Sequence, residues 1–435
     1  ASFLKAGTNH NSKGIIAIQE LLEVVNNYMT IGATEDALTL LNSAISLGEP
    51  YASYPLLYYY KAYNLLKSKN SIEFQTCLDK ARSLSPLNNY PFRIEEIALF
   101  KTLLQKRPDD ALLHYHLGNL LYFLGQKESG LEHWLHATET DPSFAIAARN
   151  VGFGYGCLND LEKSIKYYDR AINANPNDPL LLTESDKIYE QANIPTDQRL
   201  KRLESHLKTV MKHDDAVMRL LTLYNAESKY DKSIKILNTR HFHLWEGGGQ
   251  VHDIYADSHI LKGMQFLKRK QYKEAIREFD LANQYPSNLE VAPSPNGGYE
   301  AKIYYLSGIA YEAMKQTDKA KICFEKSADT HFRSHLTDLN YYKIKSLRKL
   351  NRNGEADVAL SDMQKTLERI LRNPTDSYAK FGEANQNVQQ SNISYYSGLI
   401  HLLQNNPSAA KNDFTQALQL YPGNIWAQLM NKDIH

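Results

Sequence analysis

The stretch from His114 to Pro176, HYHLGNLLYFLGQKESGLEHWLHATETDPSFAIAARNVGFGYGCLNDLEKSIKYYDRAINANP, decides the fold. One pattern is written in it twice. Gly118, Leu121, Trp134, Ala137 and Pro142 are answered by Gly152, Tyr155, Tyr168, Ala171 and Pro176, each 34 positions on. A glycine inside a helix costs roughly 1 kcal/mol against alanine. It is kept where a second helix must come close, because it has no Cβ to hold the axes apart. The aromatic of the following helix, Trp134 or Tyr168, fills the gap. Ala137 or Ala171, three residues later, lies on the same face. Pro142 and Pro176 then end that helix, since proline has no amide proton and clashes with the preceding turn. Such a hairpin cannot bury its apolar face alone, so copies stack.

This period and these positions resemble the tetratricopeptide repeat, with Gly130 and Ser164 standing where that family usually has alanine. The resemblance implies an all-α, right-handed superhelical solenoid of antiparallel helix pairs. About eight hairpins are expected, some degenerate.

Outward from the two clear repeats the same ruler applies. Towards the N-terminus, two helices join at Ile31-Gly32. A second unit carries Tyr58, Ala62, Leu65, Leu78, Ala81 and Pro86, and one further helix is expected from Tyr90 to Leu104. Beyond Pro179 the signal fades into helices at Leu180–Gln191, Leu200–Met211, Asp215–Ala226 and Tyr230–Leu237. It resumes with Gly263, Ala275, Phe279 and Ala282, then Gly308, Ala320 and Phe324, and last Gly398, Ala410, Phe414, Ala417 and Pro422. Ser287–Gly298 and Asn373–Ser391 read as loops, and Ile425–Met430 as a terminal helix capping the exposed end. The expected division is an N-terminal array over 1–195, degenerate pairs and an irregular connector over 196–250, and a C-terminal array over 251–435. No period-two run flanked by hairpin turns occurs.

Composition narrows the function classes. Lys and Arg number 50 against 49 Asp and Glu, a net charge of +1, which argues against a nucleic-acid partner held by excess positive charge. No apolar run is long enough to span a membrane. The three cysteines, Cys77, Cys157 and Cys323, have neither zinc nor redox spacing. Tyrosine, at 29, is in surplus and suits both repeat cores and a groove. The chain opens Ala-Ser-Phe-Leu without a signal-peptide profile, which we read as a piece of a longer protein, and its compartment stays open between cytoplasm and periplasm.

Four further stretches are more specific than the repeats: Arg240-His-Phe-His243-Leu-Trp245-Glu246-Gly247-Gly248, Tyr285-Pro286-Ser-Asn288-Leu289, Arg149-Asn150-Val-Gly152 and Phe92-Arg93-Ile-Glu95-Glu96-Ile97. Together they resemble the C-terminal helical half of large bacterial repeat proteins. Those carry an N-terminal mutarotase-like β-sandwich of unknown function. The resemblance implies that such a domain precedes this chain.

Candidate binding residues follow from the repeat register. First-helix positions facing the concave groove are Tyr115, Asn119 and Tyr122, then Arg149, Asn150 and Phe153. Asn119 and Asn150 fall where the peptide-carboxylate clamp of chaperone-binding repeats has asparagines, but its basic partners would fall at Leu180 and Glu184, so the clamp is incomplete. The strip is expected to bind an extended peptide or a polar ligand. The competing reading has Arg149 and Asn150 making hydrogen bonds between repeats. In the connector, His241, His243 and Glu246 offer metal-ligand chemistry, and Gly247–Gly249 could present amides to an anion. Neither matches a known spacing. We read Arg240, His243, Trp245, Glu246, Gly247 and Gly248 as a shaped connector, with Phe242 and Trp245 buried. Gly152-Phe-Gly154-Tyr-Gly156 lies inside a repeat helix and not after a strand, so it is no dinucleotide site. His331 and His335, like His133 and His136, read as solvated or core histidines. No catalytic constellation, metal or cofactor is expected.

The function expected is a non-catalytic scaffold whose concave groove takes a protein, a peptide or the chain's own further domain. The alternative is the helical platform of a larger carbohydrate-binding or carbohydrate-active protein.

Overall fold

In the computed structural model, residues 11–67, 71–87, 89–243, 250–293, 298–331, 336–372 and 386–434 are described. Among them the regular structure is helical, and no strand is present. The chain forms two compact units, Ala1–Pro176 and Asn177–His435.

Unit 1 contains α1 (Asn11–Thr30), α2 (Thr34–Ser46), α3 (Pro55–Lys67), α4 (Ser71–Ser83), α5 (Glu95–Leu104), α6 (Ala111–Phe123), α7 (Lys127–Thr140), α8 (Ala145–Cys157) and α9 (Leu161–Ala174). Unit 2 opens with α10 (Pro179–Gln191), α11 (Thr196–Ser205), α12 (Leu207–Val210), α13 (Asp214–Ala226) and α14 (Tyr230–Thr239). It continues with α15 (Gln250–Lys268), α16 (Tyr272–Ala282), α17 (Glu300–Ala313), α18 (Thr317–Ala328), α19 (Asp338–Lys349), α20 (Asn353–Arg372), α21 (Gln386–Leu403), α22 (Pro407–Leu420) and α23 (Ile425–Asp433).

The same notch builds five of the hairpins. Each notch glycine is followed sixteen positions later by the aromatic that covers it: Gly118 by Trp134, Gly152 by Tyr168, Gly263 by Phe279, Gly308 by Phe324 and Gly398 by Phe414. A Cβ added to Gly308 would stand 2.5 Å from Phe324 Cε1, and one added to Gly118 2.5 Å from Trp134 Cδ1. Both distances are shorter than atoms tolerate. Alanine normally gains roughly 1 kcal/mol over glycine in a helix. Here that gain meets an overpacking cost of about 1–3 kcal/mol. Gly308→Ala is therefore expected to lower the urea midpoint of unit 2, and Phe324→Leu in the same chain to remove most of that loss. A Gly308→Ala variant as stable as the parent would show that α17 and α18 are free to part. The turns after the first helices share a left-handed residue: Asn159, Lys270, Lys315, Asn351 and Asn405 all have φ between 58° and 61°.

Three elements differ from the sequence reading. The helix expected from Tyr90 begins at Glu95. Pro91 disfavours a helical Tyr90, and the Glu96 carboxylate accepts the amides of Phe92 and Arg93 at 2.8 and 3.0 Å, fixing the start later. Residues 386–391, expected in a loop, open α21. The polar Ser391 is buried there, donating to the carbonyl of Ala417 at 2.8 Å, so it serves the hairpin interior. Leu200–Met211 is broken at His206 into α11 and α12.

Candidate functional site

The first-helix strip of unit 1 is a knitted surface. Asn119 Oδ1 accepts both the Trp134 indole N–H at 2.9 Å and the Asn150 amide at 3.0 Å. Arg149 Nη1 donates to Asn150 Oδ1 at 3.1 Å. Tyr115 is buried, which lifts its phenol above the ordinary range against the opposing pull of its hydrogen bond to Asn119. Tyr122 stacks on Trp134 with ring centroids 4.7 Å apart. Phe153 stands 40% exposed, with the Arg149 guanidinium 5.6 Å from its ring centre. The expected residues are thus brought together. The asparagines spend polar atoms on one another across the two repeats, and the aromatic and cationic edge, Tyr122, Phe153 and Arg149, remains the outward part.

The connector joins two stretches that the sequence shows separately. Phe242 is fully buried, and its amide donates to the Asn288 carbonyl at 2.9 Å. Asn288 Nδ2 donates to the carbonyls of Leu237 and Arg240, both at 2.7 Å. Arg240 holds Asp214 through Nε at 2.8 Å, and the His243 amide donates to the other Asp214 oxygen at 2.9 Å. Trp245, Glu246, Gly247 and Gly248 lie outside the described residues.

Unit 2 contains a polar cluster that sequence reading missed, lined by the first helices of successive hairpins. Lys302 of α17, 1% exposed, forms an ion pair with Asp338 at the start of α19. Its ammonium lies 3.4 Å from the centre of the Trp426 ring, close contact for a cation on an indole face. Asp257 of α15 accepts a hydrogen bond from the Trp426 indole. As a residue Asp257 is half-buried, but its Oδ1 is shut off from solvent and has no partner. The phenols of Tyr342 and Tyr395 are likewise buried without partners. A signal for this cluster does exist in the sequence: Asp257 and Lys302 occupy one repeat position, each six residues before a notch glycine (Gly263, Gly308).

Trp426 belongs to α23, which does more than cover the end of the array. Besides following α22, it lays Ile425, Trp426 and Leu429 against Tyr230, Ile234 and Leu261 of α14 and α15. Asp433 takes an ion pair from Lys268 at 2.6 Å. The first-helix residues Leu261 and Lys302 thus help to seat a short helix, α23.

Burial, then the nearby Asp338 and Asp253 carboxylates, push the Asp257 carboxyl up to about 7, against the opposing pull of Lys302 and the Trp426 indole. The folded carboxyl therefore binds its proton more tightly than in the open chain, where it titrates near 3.8. Stability is unpenalised below that open-chain value, falls as pH rises towards 7, and levels off above it. Hydrogen exchange in α23 is expected to be faster at pH 8 than at pH 5.5 after correction for intrinsic rates. Asp257→Asn should abolish most of the difference, and an unchanged pH dependence in that variant would place its origin elsewhere.

The stacked hairpins with their glycine notches are an all-α solenoid of tetratricopeptide type. The tetratricopeptide repeat family model matches residues 155–178 and 301–329. Among solved structures, the chain is similar to YrrB, described as a tetratricopeptide protein with an unusual peptide-binding site, at 16% identity and TM-score 0.33, over 50% of this chain and 97% of that one. It is similar to TTC0263 of Thermus thermophilus at 17% identity and TM-score 0.27, over 47% and 97%. It is also similar to the P58(IPK) tetratricopeptide domain at 12% identity and TM-score 0.25, over 96% and 97%.

Proposed function

We propose that this chain is a non-catalytic interaction scaffold that binds protein segments along the first-helix faces of its repeats. The observation that carries the reading is α23, a nine-residue helix seated against first-helix residues of unit 2 by an aromatic anchor over a buried cation. A face that accommodates Ile425, Trp426 and Leu429 has the chemistry to accept a similar helix from another protein: an apolar floor, one ammonium and two carboxylates. A few anchoring residues, aromatics prominent among them, carry most of the energy of such a contact, and the half-buried Trp426 is the aromatic here.

In unit 1 the corresponding strip, Tyr122, Arg149 and Phe153 over the Asn119–Asn150 pair, is the surface we assign to a peptide partner. A folded domain of the same polypeptide is a second occupant of the same chemistry. The β-sandwich implied by the resemblance to large bacterial repeat proteins is the candidate.

The test is to shorten the chain after Gly423 and add a peptide of residues 424–435 back in trans. Saturable binding, lost when Trp426 of the peptide is alanine, is the expected result. A shortened chain that stays folded and does not take up the peptide would overturn the reading for unit 2. For unit 1, Arg149→Ala with Phe153→Ala is expected to abolish capture of its partner while leaving the helical circular dichroism intact. Unchanged capture would remove the strip from the proposal.

A further inference from the structure

The connector after α14 carries a feature that the scaffold reading does not use. Its backbone is extended at Arg240, with φ −94° and ψ 135°. In extended chain, alternate side chains point to opposite sides. Phe242 turns inward and is fully buried, and His241 and His243 turn outward, both exposed. Opposite them stands Glu290, which follows the short turn Ser287–Leu289. Leu289 is fully buried, so this side is anchored as well. Glu290 has a left-handed backbone, φ 53°, a conformation uncommon for a residue with a side chain.

His241 Nε2 lies 2.7 Å from Glu290 Oε1, and His243 Nδ1 lies 3.9 Å from the same oxygen. The two imidazole centroids are 4.7 Å apart, and one ligand atom from each of the three residues falls within 4.8 Å of the others. Ligands held at about 2.0–2.2 Å from one zinc ion in a tetrahedral shell sit about 3.4 Å apart, so the His241–Glu290 contact opens slightly and His243 closes in, a small rearrangement of side chains.

The scaffold behind the three groups is fixed. The Phe242–Asn288 backbone bond and the two bonds from Asn288 Nδ2 clamp the two segments together. Asp214 holds the His243 amide. Surface side chains that meet by chance have no such support, and a metal site depends on it.

We propose that His241, His243 and Glu290 form a binding site for a zinc-class divalent cation, with two imidazoles and one carboxylate as ligands and water completing the shell. The donor set suits zinc and its neighbours and not calcium or magnesium, which take oxygen ligands. The bound cation fastens the segment after α14 to the segment after α16. The site is independent of the groove, so either can fail without the other.

The experiment is calorimetric titration of the full-length, tag-free chain with zinc chloride, followed by cobalt(II) absorption as a report on ligand geometry. The parent is expected to show one more equivalent of tight zinc than the His241→Ala, His243→Ala double variant. Each single variant, and Glu290→Gln, should weaken that equivalent by at least about tenfold. The visible bands of four-coordinate cobalt should vanish in the same variants. His331→Ala, an exposed histidine elsewhere in unit 2, is the control and should change nothing. All variants are first checked for unchanged circular dichroism. Zinc uptake identical in the parent and the double variant would overturn the site, leaving an ordinary histidine–carboxylate pair. So would no uptake by the parent.

Discussion

Replacing Asp338 by alanine is expected to destabilise unit 2 by about 3–5 kcal/mol, because it strands a buried ammonium. Lys302 is 1% exposed, and Asp338 is its ion-pair partner. What would remain around Nζ are the ring faces of Trp426, Tyr299 and Tyr342, at 3.4, 5.7 and 5.6 Å from their centres, and the Asp257 carboxyl. Aromatic faces supply about 2 kcal/mol at best to a desolvated cation, less than the loss. Asp257 would compensate in part. Asp338 is one of the charges that raise its titration, so removing Asp338 lets Asp257 ionise lower and lean on Lys302. The urea midpoint of the Asp338→Ala variant should therefore fall less at pH 8 than at pH 5.5, and the parent's own loss with rising pH should flatten. Lys302→Met together with Asp338→Ala should recover most of the stability, since an apolar pair avoids both desolvation costs. A midpoint shift under about 1 kcal/mol for Asp338→Ala alone would mean that water reaches Lys302 and that the pair is an ordinary exposed one.

The repeats were legible because their signal is local. Gly118 with Trp134, or Gly308 with Phe324, are sixteen positions apart in the chain and in contact in space, so spacing alone reveals the hairpin. What escaped depends on contacts far apart in sequence. Ser391 is polar and sits in a polar stretch, yet its hydroxyl satisfies the Ala417 carbonyl and receives Asn424 Nδ2 at 3.0 Å, and this makes Gln386–Ser391 helical. The terminal helix was legible as a helix from Ile425, Trp426, Leu429 and Met430. Its reach back to Tyr230 and Leu261 follows from how the second array curls, which no local period encodes. The connector was visible as an odd sequence, and so was Tyr285–Leu289. Their meeting through Phe242 and Asn288 was not. At the first-helix strip the residues were identified by register, but the Asn119–Asn150 bond shows that register finds a face without saying how much of its polarity is already used.

A second large loss is expected from Asp186→Ala, at the opposite end of the same array. Asp186 is 1% exposed and takes the Arg199 guanidinium in a fork, Nε at 2.9 Å and Nη2 at 2.8 Å. Arg219 Nε adds a third bond at 2.6 Å. Two arginines opposite one carboxylate outweigh the burial cost and hold Asp186 below its ordinary range, the charge of Arg219 being the largest single pull and the Arg199 hydrogen bond the next. A depressed carboxyl stabilises the fold above its open-chain value and withdraws that contribution as pH falls through the folded value. The parent should therefore lose this stabilisation only below about pH 4. The variant lacks it at every pH, leaving Arg199 and Arg219 to share Glu190, 3.1 Å from each. The cost expected is about 3–5 kcal/mol by urea denaturation, and less for Asp186→Asn, which still accepts a hydrogen bond. Glu190 separates packing from closure. It also accepts the Tyr421 hydroxyl at 2.9 Å, which ties the end of the last hairpin to α10. Tyr421→Phe should cost only about 1 kcal/mol, yet speed exchange in α22 and α23 out of proportion to that loss. If Tyr421→Phe leaves exchange in α22 and α23 unchanged, the array holds its curl without this tether, and the seat of Trp426 is set by Lys302, Asp257 and the α14–α15 contacts.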